Sequence, residues 1–398
     1  MSTPTFADLG VSAEMVARLA ERGITDPFAI QAATIAPALQ GQDVCGRAPT
    51  GSGKTLAFGV PLAEKVGRAR PARPKALVLA PTRELAAQIQ KELAPLLHVR
   101  KRSVATFYGG VSFTPQLKLL RRGVDVAVAC PGRLADLVRR GNLILDEVEF
   151  VVIDEADRMA DMGFLPEVRR ILDQVQPQRQ TLLFSATLDG DVDVLIKHYQ
   201  HEPVRCEVAA PEPADDRTTH LFLETPREQR IDRTVELVDK HGSSIVFCRT
   251  KHGADRLATQ LERSGVRAVA IHGDRSQSQR ERALASFQQR RVQALVATDV
   301  AARGIHVDDV GCVVHFDPPA DVKDYVHRSG RTGRAGADGV VVSFVTEGQT
   351  GEATRRLQRL LGFGGPAGPA GKAPASHRPN QKPKYKPKWK AKRPAARN

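Results

Sequence analysis

The chain has 398 residues, 41% apolar and 26% charged, with a formal net charge of +14; it has room for two to four domains of about 100–200 residues and the composition of a soluble globular protein. No apolar run approaches the ~18–20 residues of a membrane-spanning helix, and the opening residues lack the basic and apolar parts of a secretory signal, so a cytoplasmic address and no membrane partner are expected. Cys45, Cys130, Cys206, Cys248 and Cys312 lie tens of positions apart with no CxxC pair, which argues against zinc sites and disulfides and for small buried thiols.

From residue 43 to about 207, short apolar runs alternate with longer periodic stretches: 76–80 before 83–97, 124–129 before 134–140, 150–153 before 165–175, then 181–184. Such alternation predicts βαβ units on a buried parallel sheet. Residues 208–217 are polar, contain Pro211 and Pro213, and read as a linker. The pattern resumes at 221–223, 244–247, 253–263, 268–271, 277–288, 294–297, 312–316 and 340–345. The expected fold is therefore α/β, with tandem parallel-sheet domains at 1–207 and 218–361. Residues 362–398 hold ten lysines and arginines and no acid, so this tail accounts for +10 of the +14. A segment so charged and so poor in apolar residues is expected to be disordered alone and to seek a polyanion.

Two segments carry phosphate chemistry. Ala48-Pro49-Thr50-Gly51-Ser52-Gly53-Lys54-Thr55 follows a short apolar run and precedes a helical pattern at 56–66. A glycine-rich turn there offers backbone N–H groups to the β- and γ-phosphates, with Lys54 neutralising phosphate charge and the Thr55 hydroxyl binding Mg²⁺. Ala48 stands where the phosphate-loop pattern has its first glycine. About a hundred residues later, Asp154 and Glu155 end a buried apolar run. In phosphoryl chemistry the first acid of such a pair holds Mg²⁺, and the second orients and deprotonates the attacking water.

Asp154-Glu155-Ala156-Asp157 is the name-giving sequence of the DEAD-box RNA helicases, and the chain resembles that family from about residue 6 to 345. Phe6 and the 23–31 segment ending in Gln31 resemble the Q motif, 81–86 motif Ia, Gly109-Gly110 and Pro131-Gly132-Arg133 the next RNA-facing elements, and Ser185-Ala186-Thr187 motif III. Ile245-Val246-Phe247-Cys248-Arg249-Thr250 resembles motif IV, Gln277 to Arg280 the QxxR element, 297–305 motif V, and His327 to Arg334 motif VI. The resemblance implies two RecA-like domains and an ATP-dependent RNA helicase with ATP and Mg²⁺ as cofactors.

It also implies roles. Glu155, Asp154, Lys54, Arg331 and Arg334 would be catalytic, the two arginines reaching the γ-phosphate as fingers from the second domain. Thr55 and Asp154 would hold the metal. Phe6, Ile24, Gln31, Thr50, Gly51, Ser52, Gly53, Lys54, Thr55, Gly304 and His306 would bind the nucleotide, with Gln31 reading the adenine edge. Where family members often stack an aromatic on adenine this chain has Ile24, so that contact would be apolar only. Thr82, Arg83, Gly110, Arg133, Arg249, Arg280 and Thr298 would hold the RNA backbone, and Asp157, Ser185, Thr187 and His327 would couple the domains. Cys130, Pro49, His306 and Ser329 depart from the family pattern, His306 replacing an aspartate on the ribose.

In the tail, Lys382-Pro383-Lys384-Tyr385 is echoed by Lys386-Pro387-Lys388-Trp389, which suits an extended segment that neutralises phosphates and stacks Tyr385 and Trp389 on RNA bases. The short core and basic tail resemble the bacterial RhlE-like branch, for which ribosomal precursors or RNA decay machinery are expected partners. Two other readings are compatible with the residues: a DNA-directed translocase of the same superfamily, and a nucleotide-gated RNA clamp with little turnover.

Overall fold

The structure, a computed structural model, describes residues 4–49, 51–208, 218–302, 310–333, 338–345 and 349–361. Thirteen strands form two sheets among the described residues, and every strand pair is parallel. The first sheet holds β1 (Val44–Arg47), β2 (Ala76–Leu79), β3 (Val104–Phe107), β4 (Val126–Ala129), β5 (Phe150–Asp154), β6 (Gln180–Ser185) and β7 (Val204–Glu207). Their spatial order is β3-β4-β2-β5-β6-β1-β7. The second sheet holds β8 (Thr218–Glu224), β9 (Ser244–Phe247), β10 (Ala268–Ile271), β11 (Ala294–Ala297), β12 (Cys312–His315) and β13 (Gly339–Val345), in the order β10-β11-β9-β12-β13-β8.

Continuous apolar runs become central strands because both faces of a parallel sheet are covered by helices. Alternate residues feed two cores: Val78, Val126, Val128, Val152 and Phe184 point to one face, while Leu77, Leu79, Ala127, Val151 and Ile153 point to the other. The second sheet divides in the same way, with Val246, Val296 and Val314 opposite Ile245, Leu295 and Val313. Parallel connections place the loops that follow the strands along one edge of each sheet, where ligands of such folds bind.

Strand order then sorts the chemistry. Neighbours β5, β6 and β1 end in Asp154, Ser185 and the phosphate loop, whereas neighbours β3, β4 and β2 end beside Gly110, Arg133 and Thr82. Among the described residues no helix is long and apolar enough to cross a membrane, and the five cysteines are free thiols. The tail at 362–398, with Tyr385 and Trp389, lies outside the described residues, as do Thr50, Gly304, His306 and Arg334.

Candidate functional site

The phosphate loop runs from β1 into the helix Lys54–Lys65. Gly53 has φ 88°, a left-handed conformation that favours glycine. A Cβ there would lie 2.8 Å from Phe28 Cδ2 and collide with Gln31 Nε2. Pro49 closes the loop, its carbonyl accepting from Ser52 Oγ at 2.8 Å. Buried Lys54 donates Nζ to the Ala48 carbonyl at 3.0 Å. In the same turn Gly51 is exposed and Ser52 and Thr55 are half-buried.

Gln31 is 2% exposed. Its Oε1 accepts from Phe28 N at 2.9 Å and its Nε2 donates to Gly53 O at 3.0 Å, so the carboxamide ties the 23–31 segment to the phosphate loop and keeps one further donor and one acceptor position. The sequence placed Phe6 against the nucleotide, but Phe6 is 1% exposed and belongs to the first core. Its ring is part of that core. Ile24 is partly buried and packs against that core too.

Asp154 ends β5 at 2% exposure, with Oδ1 buried and without a hydrogen-bond partner among the described residues. Burial pushes its carboxyl up to about 7, against the pull of Lys54. An unsatisfied buried carboxyl oxygen within the field of Lys54 fits a bound cation, which would supply compensating charge. Glu155 follows with φ 55°, a left-handed conformation rare for a residue with a side chain and costly by about 1–3 kcal/mol. Arg158 Nη1 donates to Glu155 Oε2 at 2.5 Å, both side chains being buried. Asp157 N donates to Ser185 Oγ at 3.1 Å and Ala48 N donates to Ser185 O at 3.0 Å, so one serine joins the acidic turn to the phosphate loop. Thr187 is half-buried just beyond it.

Arg158 reaches past its own sheet. It lines a small cavity with Asp299, His327, Arg328 and Arg331 of the second domain. Arg331, expected as a finger, is 3% exposed there and donates Nε to the His327 carbonyl at 3.1 Å. Arg328 makes a two-pronged pair with Asp299, Nε–Oδ1 2.6 Å and Nη2–Oδ2 2.8 Å, and lies 5.1 Å from the Phe247 ring centroid.

On the other half of the sheet edge, Arg83, Gly110 and Arg133 converge. Gly110 has φ 76°, and a Cβ on it would strike the Arg83 guanidinium. Arg133 is 8% exposed, donates Nη2 to Val111 O at 2.9 Å and stands 3.9 Å over the Phe113 ring. Arg133, expected on the RNA backbone, thereby also ties down the loop carrying Gly110. Thr82 caps the helix Arg83–Val99 by accepting from Leu85 N at 3.3 Å. In the second domain Arg249 is exposed after β9 and Thr298 is buried after β11. Arg280, expected on RNA, is instead buried, its Nη2 lying 2.8 Å from Glu84 Oε2 of the first domain.

Arg158, Glu84 and Phe28 were assigned no role from the sequence. The signal for two of them was position alone: Arg158 directly follows the acidic motif, and Glu84 directly follows Arg83.

The sequence matches the family described as DEAD/DEAH box helicase over residues 28–195 and that described as helicase conserved C-terminal domain over 228–336. It is 44% identical over 342 residues to DEAD-box ATP-dependent RNA helicase 9, mitochondrial, of Arabidopsis thaliana, covering 82% of this chain and 55% of that protein. It is 42% identical to DEAD-box ATP-dependent RNA helicase CshA of Geobacillus kaustophilus, covering 82% and 70%. The chain therefore spans little more than half the length of the plant relative. Among solved structures, S. cerevisiae Dbp5 bound to RNA and ADP BeF3 aligns with a TM-score of 0.81 and 29% identity, over 91% of this chain and 94% of that one.

Proposed function

The chain belongs to the DEAD/DEAH box helicase family, and from that premise we propose that it is an RNA-dependent ATPase that separates short RNA duplexes or remodels RNA–protein complexes as its two domains close. The observation that carries this reading is the shared cavity, where Arg158, bonded to Glu155, meets Arg331 from the other sheet. A site divided in this way is complete only when both domains are together, so ATP and RNA that each span the cleft reinforce one another's binding.

In this reading the phosphate loop and Lys54 receive the triphosphate, and Gln31 receives the adenine edge. Thr55 and Asp154 would hold Mg²⁺, which supplies charge neutralisation on the phosphates. Glu155 orients the attacking water and takes its proton. Arg331, with Arg334, answers the charge that develops on the transferring phosphoryl group. Ser185 transmits the state of the phosphate loop to Asp157, and Thr187 and His327 couple the domains, His327 from the cavity between them. Arg83, Gly110 and Arg249 face the RNA sugar-phosphate backbone, with Thr82, Arg133 and Thr298 supporting them. Gly304, His306, Tyr385 and Trp389 keep the roles the family resemblance assigns.

The domain division at 208–217 is part of the proposal, supported by a first sheet whose last strand ends at Glu207 and a second whose first begins at Thr218. So are assignment to the RhlE-like branch, supported by the basic tail, action on ribosomal precursors or in RNA decay, and a cytoplasmic setting.

Steady-state ATP hydrolysis tests the reading, with no nucleic acid, single-stranded RNA or matched DNA at one salt concentration, alongside Glu155→Gln. Stimulation by RNA and not DNA, lost in the variant, is expected. Equal stimulation by DNA would replace it with the translocase, and RNA binding without turnover with the clamp.

A further inference from the structure

Six large hydrophobic side chains are exposed among the described residues, and Phe28, at 60%, is the aromatic one. Exposing a phenyl ring forgoes the burial free energy that usually draws aromatics inside. The backbone that carries the ring is also fixed in place. Phe28 N is held by Gln31 Oε1 at 2.9 Å, and Phe28 O accepts from Ala32 N at 2.9 Å, at the entry of the helix Ala29–Leu39. The ring itself abuts the phosphate loop, where Cδ2 lies 2.8 Å from the position a Gly53 Cβ would occupy.

A flat, exposed π-face on a held backbone thus borders the phosphate cradle at Gly53. It sits three residues before a carboxamide with one donor and one acceptor position to spare. Ile24 cannot supply such a face, since it is aliphatic and leans on the core.

We propose that Phe28 is the stacking platform for the nucleobase in this chain, an affinity-giving contact that the apolar residue at position 24 does not provide. The inference rests on the nucleotide-binding reading above and deepens it. Stacking needs no hydrogen-bond geometry, so the ring gives affinity for a base while the Gln31 edge selects which one. Phosphate binding is independent of the ring.

The test measures equilibrium binding of ADP and of inorganic tripolyphosphate to the full chain, by calorimetry, for the wild type, Phe28→Ala and Phe28→Tyr. Phe28→Ala is expected to weaken ADP about tenfold or more, to leave tripolyphosphate within twofold, and Phe28→Tyr to bind both as the wild type does. Phe28→Ala that binds ADP as the wild type does overturns the platform and leaves the nucleotide site standing. Equal loss of ADP and tripolyphosphate also overturns it, since the ring would then be shaping the loop. A wild type that binds neither overturns the nucleotide reading together with the platform.

Discussion

Arg280 and Glu84 stand 2.8 Å apart, yet one belongs to the helix Gln277–Gln288 of the second domain and the other to the helix Arg83–Val99 of the first. Both are more than nine-tenths buried, so removing one partner strands a charge at a cost of about 3–5 kcal/mol. That cost falls on the closed arrangement rather than on either domain's own core. Arg280→Ala or Glu84→Gln should therefore lower RNA-stimulated ATP turnover at least tenfold while the melting temperature moves by no more than a few degrees. The exchanged pair, Glu84→Arg with Arg280→Glu, should recover part of the loss. Single variants with undiminished turnover would show that the pair does not serve closure.

Gly110→Ala tests the RNA half of the site. The new methyl group meets both a positive φ and the Arg83 guanidinium, and Arg83 must yield. RNA affinity should fall about tenfold, one displaced charge-assisted phosphate contact being worth about 1.5–3 kcal/mol. ADP affinity should not change, because the phosphate loop lies on the other half of the sheet edge. Fluorescence anisotropy with a labelled single strand reads the first effect and calorimetry the second.

Arg158→Ala leaves the Glu155 carboxylate buried without its 2.5 Å partner. Chemical denaturation should show the first domain destabilised by about 3 kcal/mol at neutral pH. Pairing this change with Glu155→Gln should restore most of it, since no uncompensated charge then remains. Additive losses in the double variant would mean that Arg158 acts through packing alone.

Acid sensitivity is expected in the second domain. His315 and His220 are both held below the ordinary imidazole value of 6.5 by burial, His315 also by the nearby Arg328 and by His220 itself. His220 Nδ1 meets the Tyr325 hydroxyl at 2.7 Å, and His315 Nδ1 meets Ser343 Oγ at 2.9 Å. The unfolded chain takes up protons below about pH 6.5 that the folded domain refuses, so this stability is complete above that pH and declines as pH falls below it. Urea melts at pH 7.5 and 5 should differ, and His315→Gln should narrow the difference. An unchanged gap in the variant would remove His315 from the account.

The central strands were legible because their apolar runs are short, β-branched and buried on both faces: 244–247 and 294–297 coincide with β9 and β11. The edge strands of the first sheet were not. β3, with half its residues only partly covered, and β7, with one buried residue in four, lack that continuous run. Sequence order also revealed which residues sit on turns at strand ends, since Lys54, Asp154 and Ser185 needed only the motif and the strand before it. It could not reveal where a long side chain goes. Arg133 and Arg280 look alike as solvent-facing cations, and only the fold turns one onto Phe113 and the other across the cleft to Glu84.

The phosphate-loop strand waits longest for its neighbours. Val44 pairs with Leu182 on one side and Val204 on the other, and at the far domain Thr218 pairs with Gly339. During synthesis, β1 emerges early but has no strand to hydrogen-bond until most of its domain has followed, and β8 waits likewise for β13. Long-range pairing of this kind is slow, and a nascent chain halted before residue 180 would display an unpaired strand ending in a phosphate cradle that cannot yet take shape.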